Sequence, residues 1–390
     1  MRNVGRGWLA AFAGLLCAGT TLLSRPAAAD TMDPALARFV AGEGCRTAGP
    51  GGTGKYYNPA SGFVKCPTYD AYFSKLIAQY GAAVAPTAMH SARTTGYGGF
   101  ELAIEADYTS IDNDAEYWQL GTEGPLDPTT KKFSIKGDPD SVLQLYSLKI
   151  RKGFPFGLEL TGNVGFLANT NIVTGGADVR MSLLEGFRTG IPGIFPEIAV
   201  GGSVRTITGT EEFQLTVAGF DAQISKPIPI GGTIVLTPYV GYQWLRIFGD
   251  SGLIDLTPNT DAVSFCDYGG PNTPATPDPS KAFRDGQPVC GSGSSADFNN
   301  TVVFDPVRLT RHRIDFGMQL RFQMVKFGAH FVTDLVGVAA ANKGKDYETA
   351  TWDQNDGDRT FNEFDKDPTK PGDKKVAGQW TLAFDLGAVF

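Results

Sequence analysis

The sequence lacks the patterns that mark most other classes of protein. It has only three histidines and five cysteines in 390 residues. It contains neither a Cys-x-x-Cys pair nor a closely spaced pair of histidines, which are the usual zinc ligands. After residue 29 it has no apolar run of about 18 residues, which excludes a transmembrane helix. Its formal net charge of −7 argues against nucleic acid as a partner. We expect no cofactor.

The first 29 residues are ordered like a secretory signal peptide. Arg2 and Arg6 precede the apolar run 8–23, and the small residues 27–29 follow it. This order predicts an exported chain that is cleaved near Ala29. A membrane anchor is the alternative, but the run is short and is interrupted by glycine and threonine.

Export would place the cysteines in an oxidising compartment. Cys17 would be lost with the signal peptide, which leaves two sequence-local pairs, Cys45 with Cys66 and Cys266 with Cys290. Other connectivities exist, but the local pairing closes two short loops. We therefore predict two disulfides rather than a metal site.

From residue 98 onward, apolar residues recur at every second position. In the first such segment, Leu102 and Ile104 alternate with Glu101 and Glu105. Alternation over about a dozen residues predicts strands with one apolar face, long enough to cross a bilayer when tilted. We predict ten antiparallel strands, over residues 97–110, 142–153, 156–169, 172–186, 194–209, 213–226, 233–248, 307–323, 325–339 and 378–390.

The connections between these strands differ in length. The long ones, 111–141, 249–306 and 340–377, all follow odd-numbered strands, and the turns after even-numbered strands are short. This asymmetry is typical of bacterial barrels with long outer loops and short periplasmic turns. A further hairpin, Tyr117–Leu120 with Lys132–Lys136, would give twelve strands and the same parity.

The segment Trp380–Phe390 alternates strictly and ends on phenylalanine. Its terminal Phe390 resembles the insertion signal of Gram-negative outer-membrane β-barrel proteins. The resemblance extends to the general barrel pattern and to no specific family. It implies an all-β fold, a transmembrane antiparallel up-and-down β-barrel of 10–12 strands, integral to the outer membrane. It also implies the barrel-assembly machinery as a partner during insertion, and membrane lipid and lipopolysaccharide as surroundings. Because an open sheet edge in lipid leaves backbone groups unpaired, we expect the last strand to pair with the first.

Residues 30–95 are not patterned as strands and are expected to carry a disulfide and short helices. Residues 33–40 are one candidate helix, and Thr68 is a candidate N-cap for a second. An apolar stripe at helical spacing follows Thr68 and comprises Tyr69, Tyr72, Phe73, Leu76, Ile77 and Tyr80. We expect this helix to end at Gly81 and Pro86. It would plug the barrel lumen or cap its periplasmic mouth, or form a small packing unit of its own.

The polar strand faces place charges of both signs inside the predicted barrel 96–390. The candidates for lining the lumen are Glu101, Glu105, Asp107, Lys149, Arg151, Arg180, Arg205, Arg313, Asp315, Arg321 and Asp385, with Glu159, Asp178, Glu197, Lys326 and Asp334 on the same faces. They predict either a charged constriction that selects small polar solutes or a salt-bridged filling of a closed barrel. Ten strands enclose little space, which favours the filling.

Enzymatic activity is not expected. Omptin-like surface proteases use an Asp–His pair near the outer rim, but alternation places His312 on the lipid face and Asp334 on the lumen face. The sequence also has no Ser–His–Asp order or acyl-hydrolase signature.

One loop holds a weak candidate metal site. Asp353, Asn355, Asp356 and Asp358 carry oxygen ligands that suit calcium. They resemble an EF-hand loop but lack its glycine register and its closing glutamate. A solvated acidic loop is the expected outcome.

Two functions are consistent with this sequence. The leading hypothesis is porin-like or channel-like passage of small polar solutes through the charged lumen, gated by residues 30–95. The alternative is a non-conducting surface-display barrel that acts as an adhesin or receptor through its long outer loops. The sequence identifies neither the solute nor the surface ligand.

Overall fold

A computed structural model describes most of the predicted barrel. The described residues are 32–39, 55–58, 62–65, 70–88, 90–126, 133–135, 138–184, 195–255, 266–267, 289–290, 301–335, 338–339, 375–376 and 378–390. The predicted signal peptide, Cys45, Cys66 and the calcium candidates lie outside these residues.

Within the described residues, ten antiparallel strands form one closed sheet. They are β1 Phe100–Ser110, β2 Val142–Gly153, β3 Leu158–Leu167, β4 Val173–Leu184, β5 Glu197–Thr208, β6 Phe213–Ser225, β7 Ile234–Ser251, β8 Val307–Phe322, β9 Val325–Asp334 and β10 Trp380–Val389. Each strand pairs with its neighbours in sequence, and β10 pairs with β1. The predicted up-and-down barrel is confirmed.

The ring closes along the pairing of β10 with β1. Asp385 lies opposite Glu105 in this register. The last residue extends the pairing, because Phe390 N donates to Phe100 O at 2.8 Å and Phe100 N donates to Phe390 O at 3.1 Å. Closure gives each strand of the ring a partner on both sides, as a sheet in lipid requires.

The two ends of the barrel differ. We call the end that carries Phe100 and Phe390 the terminus end, and the opposite end the loop end. The long connections, 111–141, 252–306 and 335–379, all lie at the loop end. Large apolar side chains are exposed on the outer wall, among them Ile104, Leu148, Val164, Phe220, Phe316 and Phe384. A closed ring with an apolar outer wall is a transmembrane β-barrel of the outer-membrane type.

Residues 70–99 run through the inside of this barrel. Helix α1, Asp70–Val84, begins at the loop end, where Asp305 N donates to the Asp70 carboxylate at 2.8 Å. The chain then continues to the terminus end, where Gly153 N donates to Gly99 O at 3.0 Å. None of the described helices is long and apolar enough to cross a membrane.

Of the two residues predicted to end this helix, Pro86 is confirmed and Gly81 is wrong. The helix passes Gly81 and ends at Val84, ahead of Pro86, because proline disfavours a helical conformation in the residue before it. Gly81 is required by packing instead, since a Cβ there would lie 2.7 Å from the Ile247 side chain. The helix expected at 33–40 is a single 3-10 turn, Leu36–Phe39.

The additional hairpin does not join the ring. Helix α2, Glu116–Leu120, occupies part of it, and Glu123–Leu126 pairs with Phe133–Ile135 in a separate sheet. The other short pairings are Lys55–Asn58 with Gly62–Lys65, Ile254–Asp255 with Thr301–Val302, Cys266–Asp267 with Val289–Cys290, and Val338–Ala339 with Lys375–Val376. A further short strand, Ile228–Ile230, pairs with the first residues of β7 at the terminus end.

The apolar core of the described residues lies inside the loop-end half of the barrel. Its members come from α1 (Phe73, Leu76, Ile77, Tyr80, Val84), from the connections and residues 32–39 (Met32, Leu36, Phe39, Trp118, Phe304) and from the wall (Leu143, Leu167, Phe213, Leu245, Ile247). On most strands the wall changes from apolar side chains at the loop end to polar ones toward the terminus end.

Closure at the β10–β1 seam can be tested with one glycine. A Cβ at Gly387 would lie 2.9 Å from the Ala103 Cβ, so Gly387→Leu should destabilise the closed ring by about 1–3 kcal/mol through overpacking. We expect a smaller fraction of protein with heat-modifiable gel mobility. Gly162→Leu is the matched control, because nothing lies within 4 Å of a Cβ there. Equal folded fractions for the two variants would contradict the seam.

Candidate functional site

The candidate site is the lumen, where nearly all the predicted charges are buried. Apart from Arg321, the first eleven residues named above as candidates for lining the lumen are at most 5% exposed. Arg321 is on the expected strand face but lies exposed at the terminus end, where its Nε donates to Gln323 O at 3.1 Å. The other charges lie deeper, where residues 85–96 cover them.

One cluster of ion pairs crosses the seam. Lys326 of β9 lies between two carboxylates, with its Nζ in contact with Glu101 and 2.6 Å from Asp385. Arg151 of β2 extends the chain of charges, 3.1 Å from Glu101 and 3.3 Å from Glu159. The acidic faces of β1 and β10 are therefore matched by cations from the adjoining strands.

A second cluster ties the inner segment to the wall. Lys149 of β2 pairs with Glu105 of β1. Thr87 of the inner segment joins both, since its hydroxyl donates to Glu105 and accepts from Lys149 Nζ at 3.0 Å. The inner chain thus takes part in a buried, charge-assisted network.

A third cluster lies on the opposite wall. Arg180 of β4 donates to Asp221 at 2.7 Å and to Gln223 at 2.6 Å. Gln223 in turn donates from its amide to Ala88 O of the inner segment. Asp315 of β8 accepts from the same amide at 3.4 Å.

Three arginines of the wall hold the last turns of α1. Arg311 donates to Ala78 O at 2.8 Å, Arg313 donates to Ala82 O at 3.4 Å, and Arg205 donates to Val84 O at 3.4 Å. The last four carbonyls of a helix have no partner within the helix and carry partial negative charge. Arg313 and Arg205 satisfy both needs at Ala82 and Val84, and Arg311 adds a cationic donor one turn earlier, so the wall is built to fit the helix.

Several buried polar atoms have no hydrogen-bond partner among the described residues. They include both carboxylate oxygens of Asp107, the Asn163 amide, the Ser203 hydroxyl, and Nε and Nη2 of Arg205. Such groups cost about 1–3 kcal/mol each. Most of them lie on β1–β5. The polar side chains of this part of the wall are therefore less fully paired than those of β6–β10.

Asp221 and Arg311 are charged side chains of the lumen that the sequence prediction missed. Arg311 is fully buried and contacts Asp334. Its odd number on β8 places it on the same face as Arg313 and Asp315, so alternation alone would have found it. Nothing in the sequence predicts that Arg311 contacts the carbonyl of Ala78.

Residues 32–39 cover the loop end of the lumen. Met32 N donates to Asn169 O at 3.0 Å, and Leu36 N donates to Glu212 Oε2 at 2.9 Å. Glu212 lies in the turn between β5 and β6. Burial raises the pKa of Glu212 to about 7, and the nearby Glu123 carboxylate acts in the same direction.

The predicted positions of the Asp–His pair agree with the structure. His312 is exposed on the outer wall, with its Nδ1 2.6 Å from the Tyr242 hydroxyl. The Asp334 side chain is buried inside the barrel against Arg311. The described residues include no group of three or more His, Cys, Asp or Glu that could hold a metal.

Two cysteines of the connection 252–306 lie opposite each other in a short strand pairing. Cys266 and Cys290 are partners in a two-residue antiparallel pairing. Their predicted disulfide stays a prediction, as does that of Cys45 with Cys66.

Comparison with known proteins identifies no relative. No protein-family model matches the chain, and no curated protein matches it. Solved structures that it resembles include Ail, the attachment invasion locus protein of Yersinia pestis, at 8% identity over 75% of this chain and 99% of that chain with a TM-score of 0.23. The outer membrane protease OmpT from Escherichia coli is similar at 10% identity over 75% and 95% with a TM-score of 0.19. These values are too low to transfer an activity.

Removal of the seam cation tests the buried network. Lys326→Met leaves Asp385 without a cation and Glu101 with Arg151 alone, so we expect a loss of about 3–5 kcal/mol in the free energy of unfolding. Adding Asp385→Asn should restore much of it. Urea unfolding followed by tryptophan fluorescence measures both. Arg93→Gln is the control, because Arg93 is 48% exposed and pairs with Glu197 at 3.7 Å; it should cost less than about 1 kcal/mol.

Glu212 predicts a pH-dependent stability. A carboxyl whose pKa is raised in the folded state binds its proton more tightly there, so its contribution is lost as the pH rises toward and past 7. Glu212→Gln keeps the acceptor for Leu36 N and cannot ionise. The stability of Glu212→Gln relative to the wild type should rise by about 2–3 kcal/mol between pH 5 and pH 8. Glu211→Gln, at the exposed neighbouring position, should show no such difference. A constant gap at both pH values would contradict the assignment.

Proposed function

We propose that the protein is a non-conducting outer-membrane barrel that displays its long outer loops as an adhesin or receptor surface. The observation that carries the proposal is the filled lumen, with an apolar core in its loop-end half and paired charges below. In this proposal residues 1–29 direct export, residues 70–99 fill the barrel, and Phe390 is read by the barrel-assembly machinery.

The apolar half argues against a removable plug. Phe73, Leu76, Ile77, Tyr80 and Val84 of α1 are all fully buried. Burying one large apolar side chain contributes about 1.5–3 kcal/mol, so withdrawal of α1 would cost on the order of 10 kcal/mol. That is comparable to the whole stability of a typical domain. Spontaneous opening at a useful frequency is therefore not expected.

The charged half gives the same indication. In a porin-like lumen the charged side chains are exposed to water, and solutes move past them. Here Glu105, Lys149 and Arg151 are at most 5% exposed and are matched with partners. This arrangement favours the salt-bridged filling over the charged constriction, and with it the display role over porin-like transport.

The outer loops are well placed for display. The connection 252–306 begins and ends with paired segments, Ile254–Asp255 against Thr301–Val302. The connection 335–379 does the same, with Val338–Ala339 against Lys375–Val376. Both rise from rigid strand ends, a common setting for binding loops. A disulfide of Cys266 with Cys290 would brace the first of them.

Ion conductance distinguishes the two functions. We expect the refolded protein to give no current steps in planar lipid bilayers, because its lumen is filled. A known porin in the same bilayers is the positive control. Steps that scale with protein concentration would contradict the proposal and favour the channel.

Loop-shortened variants test the display role directly. Since Asp255 faces Thr301 and Ala339 faces Lys375, a two-residue turn can replace residues 256–300 or 340–374 without disturbing the ring. We expect non-adherent cells that display the full protein to attach to cell monolayers or matrix-coated surfaces. Attachment should fall when either loop is removed, while heat-modifiable mobility is unchanged. Equal attachment with and without the loops would contradict the display role.

A further inference from the structure

The outer wall contains an apolar groove across β4–β7. It is a shallow, open groove with a volume of about 590 Å³, lined by Met181, Val200, Gly202, Phe220, Tyr242 and Trp244 among others. The Phe220 and Trp244 rings stack at one end of it, with centroids 5.9 Å apart. Gly202 opens the space between them and the neighbouring strands.

An arginine, Arg246, lies next to this groove. It follows Trp244 by two residues on the same face of β7, toward the loop end. Its Nη1 donates to Thr310 at 2.9 Å. No carboxylate pairs with it in the part of the chain that the structure describes. This contrasts with Arg308, which pairs with Asp250 at 2.7 Å.

The surroundings of Arg246 are suited to a phosphate. Its cross-strand neighbour on β6 is Ala218, which leaves room beside the guanidinium. In the next row toward the loop end the Thr206 hydroxyl donates to Leu215 O at 3.2 Å and lies 3.1 Å from the Thr216 hydroxyl, so this row is polar but its hydroxyl protons are used. The guanidinium is therefore the donor that remains for phosphate oxygens.

The depth of Arg246 matches a lipid headgroup. It lies twelve residues beyond Ile234, the terminus-end residue of β7. At about 3.3 Å per residue and a tilt of about 40°, this is about 30 Å along the barrel axis. The apolar band of such barrels is about 25 Å tall. Arg246 therefore lies at the boundary of the leaflet on the loop-end side, with the groove below it in the hydrocarbon.

We propose that this groove and Arg246 form a binding site for lipopolysaccharide, the phosphorylated glycolipid of the outer leaflet. An acyl chain occupies the groove and a phosphate of the lipid pairs with Arg246. At the headgroup level a guanidinium attracts anionic lipid groups, and a phosphate gives it a charge-assisted hydrogen-bond partner. The site lies on the outer wall, so it is independent of the filled lumen and of the display role.

Two variants test the site from its two ends. Arg246→Gln removes the charge, and Gly202→Leu fills the groove. A Cβ at Gly202 lies 3.5 Å from the Phe220 ring, an ordinary contact, so the ring should still close. The controls are Arg321→Gln at the terminus end and Gly162→Leu elsewhere on the wall. Heat-modifiable mobility verifies the fold of each variant.

Titration of the detergent-refolded barrel with purified rough-type lipopolysaccharide measures the affinity. We expect each site variant to weaken binding about tenfold, the effect of one lost charge-assisted contact or of a blocked groove, and both controls to bind as the wild type does. Phosphate-free lipopolysaccharide should bind wild type as weakly as Arg246→Gln binds the intact lipid. Wild-type affinity in both site variants would overturn the proposal. Equal affinity for phosphatidylglycerol would overturn the choice of lipopolysaccharide.

Discussion

A sheet that spans lipid has to close on itself, because each backbone group left unpaired there costs several kcal/mol. In this chain closure depends on the pairing of β10 with β1, which the mutual backbone bonds of Phe390 and Phe100 extend to the last residue. A ring of so few strands encloses only enough room for side chains and one helix. The chain fills that room with its own residues 70–99, and the other features follow from this filling.

The filling has two layers with different chemistry. Toward the loop end the wall and α1 share an apolar core that resembles the interior of a soluble domain. Toward the terminus end the inner chain has no regular secondary structure in its described residues, and its carbonyls accept hydrogen bonds from charged and amide side chains. Gln243, for example, donates to Pro86 O at 2.9 Å. The arginines at the end of α1 mark the boundary between the layers. The helix is therefore packed as an integral part of the fold and is not a separable plug.

Much of the ring could be predicted from the sequence, because lipid on one side and a polar interior on the other impose a period of two. The bounds of β2, 142–153, were predicted to the residue, and those of β5 within three residues. Alternation assigns a face but not a depth, which is why Arg321 was placed with the buried charges. The path of residues 70–99 was not determined, since an apolar stripe does not specify what it packs against. The role of Gly81 depends on Ile247, which is far away in sequence.

Hydrogen exchange of the barrel in lipid bilayers tests most directly whether α1 belongs to the fold. If it does, amides of residues 74–84 should exchange as slowly as those of β1 and β10, and should open only with the whole barrel. Addition of urea should then accelerate exchange in the helix and the strands together. Fast exchange in α1 while the strands remain protected would show that the helix leaves the lumen by itself, and would contradict this account.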